Sequence, residues 1–124
     1  MVISKFNQQT GVLESEFKGE VTLSEVVNYI LATKDNKTYP RVLKIRTNAA
    51  NSDFNFSRGD LEAIVNANNQ SLEQYDAIID AIIVENPKTT MLSMLYQKLG
   101  KNDKYVFNIF STEKGASQWL ENYQ

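Results

Sequence analysis

Two periodicities alternate along this chain of 124 residues: stretches with every second residue apolar, which predict strands, and stretches with apolar residues three and four apart, which predict helices. Val2 to Phe6 and Val12 to Phe17 alternate apolar with polar and are joined through Gln8-Gln9-Thr10-Gly11, a spacing that predicts an antiparallel hairpin. In Thr22-Leu23-Ser24-Glu25 the Thr22 hydroxyl can accept from the backbone of Glu25 while Glu25 reaches back, and Val21 and Val26 stand in staple positions. A helix therefore starts there, buries Leu23, Val26, Val27, Ile30 and Leu31, and ends in Asp35-Asn36-Lys37-Thr38-Tyr39-Pro40.

A third strand, Arg41 to Thr47, leads into a polar segment from Asn48 to Phe56, read as the longest irregular loop of the chain. Ser57-Arg58-Gly59-Asp60 supplies a second N-cap, with Phe56 and Leu61 in staple positions, for a helix that buries Leu61, Ile64 and Val65 and frays near Asn68-Asn69. Ser71-Leu72-Glu73-Gln74 offers one further short turn. The β-branched run Ala77 to Val84 suits a central strand covered on both faces. Asn86 and Pro87 fit the cap and first position of a third helix with a buried stripe of Met91, Leu92, Leu95 and Leu99, and Gly100 is placed as its left-handed stop. Tyr105 to Phe110 forms the last strand, and the closing helix buries Ala116, Trp119, Leu120 and Tyr123. The order predicts an α/β fold with a single mixed sheet of about five strands and about four helices, the N-terminal hairpin antiparallel and the later strands parallel. No linker, repeat or low-complexity tract divides residues 1–124, so one domain is expected.

Charge and composition narrow the chemistry. With 13 basic and 15 acidic residues the formal net charge is -2, and no basic block is present, which argues against a nucleic-acid partner. The absence of cysteine and histidine removes disulfides, thiolate nucleophiles, sulfur-ligated metals and the usual general base near neutral pH. No cofactor, no metal and no catalytic residue is assigned on this basis. Met1 to Phe6 reads as a strand rather than a signal peptide, and Ala77 to Val84 is too short to cross a bilayer, so a cytoplasmic protein without a membrane span is expected.

Together with the strand-helix order, Ala81-Ile82-Ile83-Val84-Glu85-Asn86-Pro87 and the segment from Phe110-Ser111-Thr112-Glu113 through Trp119-Leu120 resemble the SpoIIAA-like (STAS/Sec14-like) superfamily over nearly the whole chain. The resemblance implies a small α/β domain used for protein-protein regulation or, in the Sec14-like branch, for holding a lipid or other apolar ligand. It also implies a phosphorylatable serine, within an Asp-Ser sequence, at the start of the helix after the third strand. Asn51-Ser52-Asp53 to Ser57 is the matching region, but the order of acid and serine differs and Phe56 precedes Ser57. Ser57 is thus read first as an N-cap and only then as a candidate phosphosite, with Ser52 behind it.

Binding sites in open α/β sheets lie beyond the carboxyl ends of parallel strands, so Thr47 to Phe56 and Glu85 to Thr90 should face one crevice. The candidate ligand- or partner-binding residues are Asn48, Asn51, Ser52, Asp53, Phe54, Ser57, Asn86, Lys88 and Thr89. The helix start at Asn86 to Thr90 is an anion seat in outline, but Glu85 opposes it and an ordinary cap is the better explanation. Phe54 is the better candidate for an exposed lip, whereas Phe56 is accounted for by its staple position. Glu14, Glu16 and Glu20 read as a solvated strand face. Asp80 interrupts an apolar strand and must hydrogen-bond, pair with Lys44 or Arg46, or lie at the strand's exposed beginning, of which the last is simplest. Of Met91, Met94, Leu95 and Tyr96, core packing explains Met91 and Leu95, while Met94 and Tyr96 flank that stripe and one of them is a lesser candidate for an apolar pocket wall or a homodimer surface. The expectation is a non-enzymatic binding or regulatory module that recognises a protein partner through Asn48 to Ser57. The alternative is a carrier of a small apolar or lipid-like ligand between helix and sheet, which requires an internal cavity.

Overall fold

The computed structural model describes residues 1–123. Its main sheet has the order β1-β2-β4-β6-β7, built from β1 (Val2–Asn7), β2 (Val12–Phe17), β4 (Val42–Asn48), β6 (Ala77–Ile83) and β7 (Tyr105–Phe110). β1 pairs antiparallel with β2, and every later pairing in this sheet is parallel. The hairpin turn works because Gly11 adopts φ 72°, and its N–H returns to the Asn7 carbonyl at 2.8 Å.

A second, two-stranded parallel sheet joins β3 (Gly19–Thr22) to β5 (Ser52–Asn55). The segment expected to be the longest loop therefore contains a strand, in which Ser52 and Phe54 point inward and Asp53 and Asn55 outward. Four residues with one apolar side chain each give too little alternation to register in the sequence.

The helices divide unequally. α1 (Leu23–Asp35), α2 (Leu61–Leu72) and α3 (Pro87–Leu99) cover one face of the main sheet, and α4 (Glu113–Asn122) packs alone on the other. α1 starts in the predicted capping box, with Glu25 N–H donating to Thr22 Oγ1 at 3.2 Å and Thr22 N–H donating to Glu25 Oε1 at 3.1 Å. Its staple pair, Val21 and Val26, is buried in the core. Alternation along β4 sends Leu43, Ile45 and Thr47 to the three-helix side and Lys44 and Arg46 to α4, where Lys44 Nζ donates to the Leu120 carbonyl and Arg46 to Ser117 Oγ.

Three helix details depart from expectation. α2 is preceded by a 3-10 turn (Arg58–Asp60) and runs unbroken through Asn68 to Leu72, because Asn68, Ser71 and Leu72 all face inward and packing outweighs weak helix propensity. The buried side of α3 is Thr89, Leu92, Ser93 and Tyr96, while Met91 and Leu99 are 51% and 58% exposed. The buried side is thus anchored by Leu92 and Tyr96 with the small Thr89 and Ser93 beside them, and Met91 and Leu99 are left outside. Gly100 has φ −93°, not a left-handed value; a Cβ there would lie 3.1 Å from the Tyr96 carbonyl oxygen, so close approach accounts for the glycine.

Candidate functional site

The three helices do not fill the space above the sheet. A cavity of about 90 Å³ lies beneath α1, α2 and α3 and is walled by inward residues of β2, β4, β5, β6 and β7. Its lining is mainly apolar, with seven aromatic rings, including Phe17, Tyr29, Phe54 and Phe107. At about 30 Å³ of liquid per molecule, the space corresponds to about three waters, enough for a small organic molecule to replace them.

Asp80 is the one ionisable acid in this wall. It occupies the middle of β6, on the same face as Ile78 and Ile82, and the simple expectation of an exposed strand start is overturned. Strand alternation makes this inevitable, since residues two apart share a face. Lys44 and Arg46 cannot pair with it because they lie on the opposite side of the sheet. Instead Tyr105 donates its phenolic hydrogen to Asp80 Oδ2 at 2.8 Å, and Thr47 Oγ1 donates to Oδ1 at 3.4 Å. Tyr96 donates in turn to the Tyr105 oxygen at 3.2 Å. Burial pushes the Asp80 carboxyl up to about 6, against the lowering effect of the Tyr105 and Thr47 hydrogen bonds. Burial likewise raises the phenols of Tyr29, Tyr96 and Tyr105, and the Asp80 charge raises each of them further, so all three stay neutral across the physiological range.

Two more polar groups enter the cavity without a partner. Ser71 Oγ on α2 and Ser93 Oγ on α3 are buried and make no hydrogen bond among the described residues. Leaving a buried hydroxyl without a partner costs about 1–3 kcal/mol, and Thr89 Oγ1, buried outside the cavity wall, is unpartnered as well. Asn68 of α2 with Tyr29 and Thr33 of α1 complete the polar part of the wall; the Tyr29 hydroxyl bonds to Ser15, and Thr33 Oγ1 donates to the Tyr29 carbonyl at 2.9 Å.

The residues singled out beyond the strand ends do come together, but as structure. Asn86 caps α3 by accepting from Thr89 N–H at 2.8 Å, and its amide donates to the Ser52 carbonyl at 2.9 Å. Lys88 Nζ donates to the Phe54 carbonyl at 2.6 Å, so the amine and cap of the supposed anion seat are already engaged. Ser52 is buried, its hydroxyl donating to the Ala49 carbonyl at 2.7 Å, and Thr89 is fully buried. Phe54 is not an exposed lip: it is buried against Phe17 and stacks on Phe56 with ring centres 4.9 Å apart. Its ring lines the cavity and is not presented to solvent. Asn51, Asp53 and Ser57 are exposed and Asn48 half-buried; Ser57 closes on Asp60, whose carboxylate accepts from its N–H at 2.9 Å. Glu14 pairs with Arg46 at 3.3 Å and Glu16 with Lys18 at 3.2 Å, while Glu20 stays exposed. Among the described residues no group of acids is arranged to hold a metal ion.

Tyr105, Thr47, Asn68, Ser71 and Ser93 were not recognisable as one constellation, because five different elements deliver them and Asp80 to it. A faint signal exists in each: a polar residue at an inward position of an otherwise apolar period.

No protein-family model matches the chain, and no curated protein matches it. Among solved structures it is similar to an uncharacterised protein of the DUF3478 family with a SpoIIAA-like fold from Shewanella loihica PV-4, with a TM-score of 0.62 at 12% identity, over 97% of this chain and 92% of that one. Among the described residues no helix is long and apolar enough to cross a membrane. The five-stranded mixed sheet, its antiparallel N-terminal hairpin and the flanking helices thus form a small α/β domain of SpoIIAA-like fold.

Proposed function

We propose that the chain is a non-enzymatic binding module that takes a small ligand with an apolar body and one polar end into the cavity between the sheet and its three covering helices. Asp80 carries this reading. An acid in the middle of an apolar strand, raised to about 6 by burial and bonded only by neutral hydroxyls, costs stability in any role that is purely structural. Such costs concentrate at sites that serve binding. The unpartnered hydroxyls of Ser71 and Ser93 in the same wall favour the same conclusion. The absence of histidine and cysteine favours a binder over a catalyst.

Native mass spectrometry of the protein purified gently from its own host tests this, with amide chemical-shift mapping of small amphiphiles as its complement. A retained small mass, or shifts centred on Asp80, Ser93 and Tyr105, is the expected result. Shifts confined to the outer surface contradict it.

A second reading, recognition of a protein partner or a second copy, is favoured by the outer side of α3, where Met91, Met94 and Leu99 are all more than half exposed. Self-association that is concentration-dependent in sedimentation, and lost in Met94→Glu, is its expected sign. The polar rim at Asn48, Asn51, Asp53 and Ser57 is the remaining accessible part of the loop first considered for such contacts.

A further inference from the structure

We infer that the ligand of this cavity is a small organic cation, a protonated short-chain amine whose nitrogen lies against the Asp80 carboxylate and whose carbon body lies among the aromatic rings. This rests on the reading of the cavity as a ligand site and names the class that the site would take.

Charge is the first argument. The wall holds one acid, and among the described residues no lysine or arginine lines it. Asp80 is bonded by Tyr105 and Thr47 alone, both of which donate neutral O–H groups. A carboxylate offers about four lone-pair positions, so about two are left for a donor that enters the cavity. With its pKa near 6, the carboxyl is mainly ionised at neutral pH, and a buried charge without a counter-charge is what an entering cation would neutralise. An anionic ligand would meet that same charge with no cation to offset it.

The second argument is the surface around the acid. Seven aromatic rings line the space, and ring faces attract cations most strongly where water is excluded. Tyr29 from α1, Tyr96 from α3 and Tyr105 from β7 are the titratable groups that share the cavity with Asp80, and burial keeps all three neutral. α2 contributes Asn68 and Ser71, which do not titrate. The Ser71 and Ser93 hydroxyls, buried and without partners, can accept the remaining ammonium hydrogens.

Size sets the third limit. A cavity of about 150 Å³ accommodates benzene with its six carbons, so about 90 Å³ suits roughly four non-hydrogen atoms. A lipid tail is too large, and a branched three-carbon amine is of the right bulk.

Isothermal titration at pH 7.5 with isopropylammonium chloride and with isopropanol, its neutral isostere, separates the possibilities. Wild type, Asp80→Asn and Ser93→Leu are compared after their amide spectra show each to be folded. The expected result is that wild type binds the amine at least tenfold more tightly than the alcohol. Asp80→Asn should lose at least tenfold for the amine while keeping the alcohol, and Ser93→Leu, which fills the cavity, should lose both. Amine binding should also weaken as pH falls through 6. Equal affinity for amine and alcohol, or amine binding unchanged in Asp80→Asn, overturns the cation while leaving the cavity as a ligand site. Binding of neither compound to wild type overturns the cation and counts against the cavity reading as well.

Discussion

Tyr105 donates its hydroxyl to Asp80 across the β6-β7 pair at 2.8 Å, although the residue directly opposite Asp80 in the register is Phe107 and Tyr105 stands opposite Ile78. The contact is therefore a diagonal one, within reach of a long aromatic side chain on the same sheet face. It places the cavity-side hydroxyl of β7 against the only acid of β6, beneath the buried side of α3. Removing it should be informative. In Tyr105→Phe the carboxylate keeps only the weaker Thr47 hydrogen bond, so its pKa should rise above 6, by somewhat less than one pH unit for a hydrogen bond worth about 1 kcal/mol. The carboxyl carbon resonance of Asp80, followed by NMR across pH 4 to 9, measures this directly.

Stability should depend on pH with an unusual sign. Asp80 has its folded pKa raised from 3.8 to about 6, so the folded state binds a proton that the unfolded state has released between those values. Its penalty is absent below pH 4, grows as pH rises from 4 to 6, and is fully present above 6. At about 1.4 kcal/mol per pH unit, ionised Asp80 costs on the order of 3 kcal/mol at neutral pH. Asp80→Asn should therefore be more stable than wild type at pH 7.5, with Tm higher by about 5 °C or more, and the difference should shrink toward pH 4. Thermal unfolding of both proteins at the two pH values checks it.

Phe54→Ala should act on stability before it acts on any surface. The ring is buried, stacks on Phe56 and contacts Phe17, so its removal enlarges the cavity and should cost about 3–5 kcal/mol. Urea unfolding gives the number. A variant that keeps its unfolding midpoint would mean that the ring is outside.

On the opposite face, Arg46 ties β4 to β2 and α4, with Glu14 at 3.3 Å, Glu113 at 3.2 Å and Ser117 at 3.0 Å. Glu113 is largely exposed, which limits what that pair contributes. Arg46→Ala should cost about 1 kcal/mol at low salt and less as salt is raised. Unfolding at two ionic strengths, with Trp119 fluorescence as the probe, reports on the packing of α4, where Trp119 lies against Phe110 and Tyr123.

Much of the scaffold was legible because its signals are local. The Thr22/Glu25 capping box, the Asn86-Pro87 helix start and the alternation of Tyr105 to Phe110 each declare an element without reference to the rest of the chain. The small β3-β5 sheet was not legible, since its pairing joins residues 33 apart, Gly19 with Ser52, through strands of four residues. The orientation of α3 was missed for a related reason. Met91 and Leu99 carry more apolar surface than Thr89 and Ser93, but the rotation of α3 is set by Leu92 and by Tyr96, which packs edge-on against Phe107, and not by the count of apolar residues along the helix. The same blind spot hid the cavity, because a void is a property of elements that fail to meet and no single segment encodes it.

The most direct measurement is the pKa of Asp80 by carboxyl carbon NMR in the presence and absence of saturating isopropylammonium. Because a cation prefers the ionised acid, binding at Asp80 must lower that pKa by the same factor by which deprotonation strengthens binding. A midpoint that falls from about 6 by one unit or more on adding the amine is the predicted result. A midpoint that stays near 6, with the amine present at saturation, would contradict the assignment of Asp80 as the ligand's anchor.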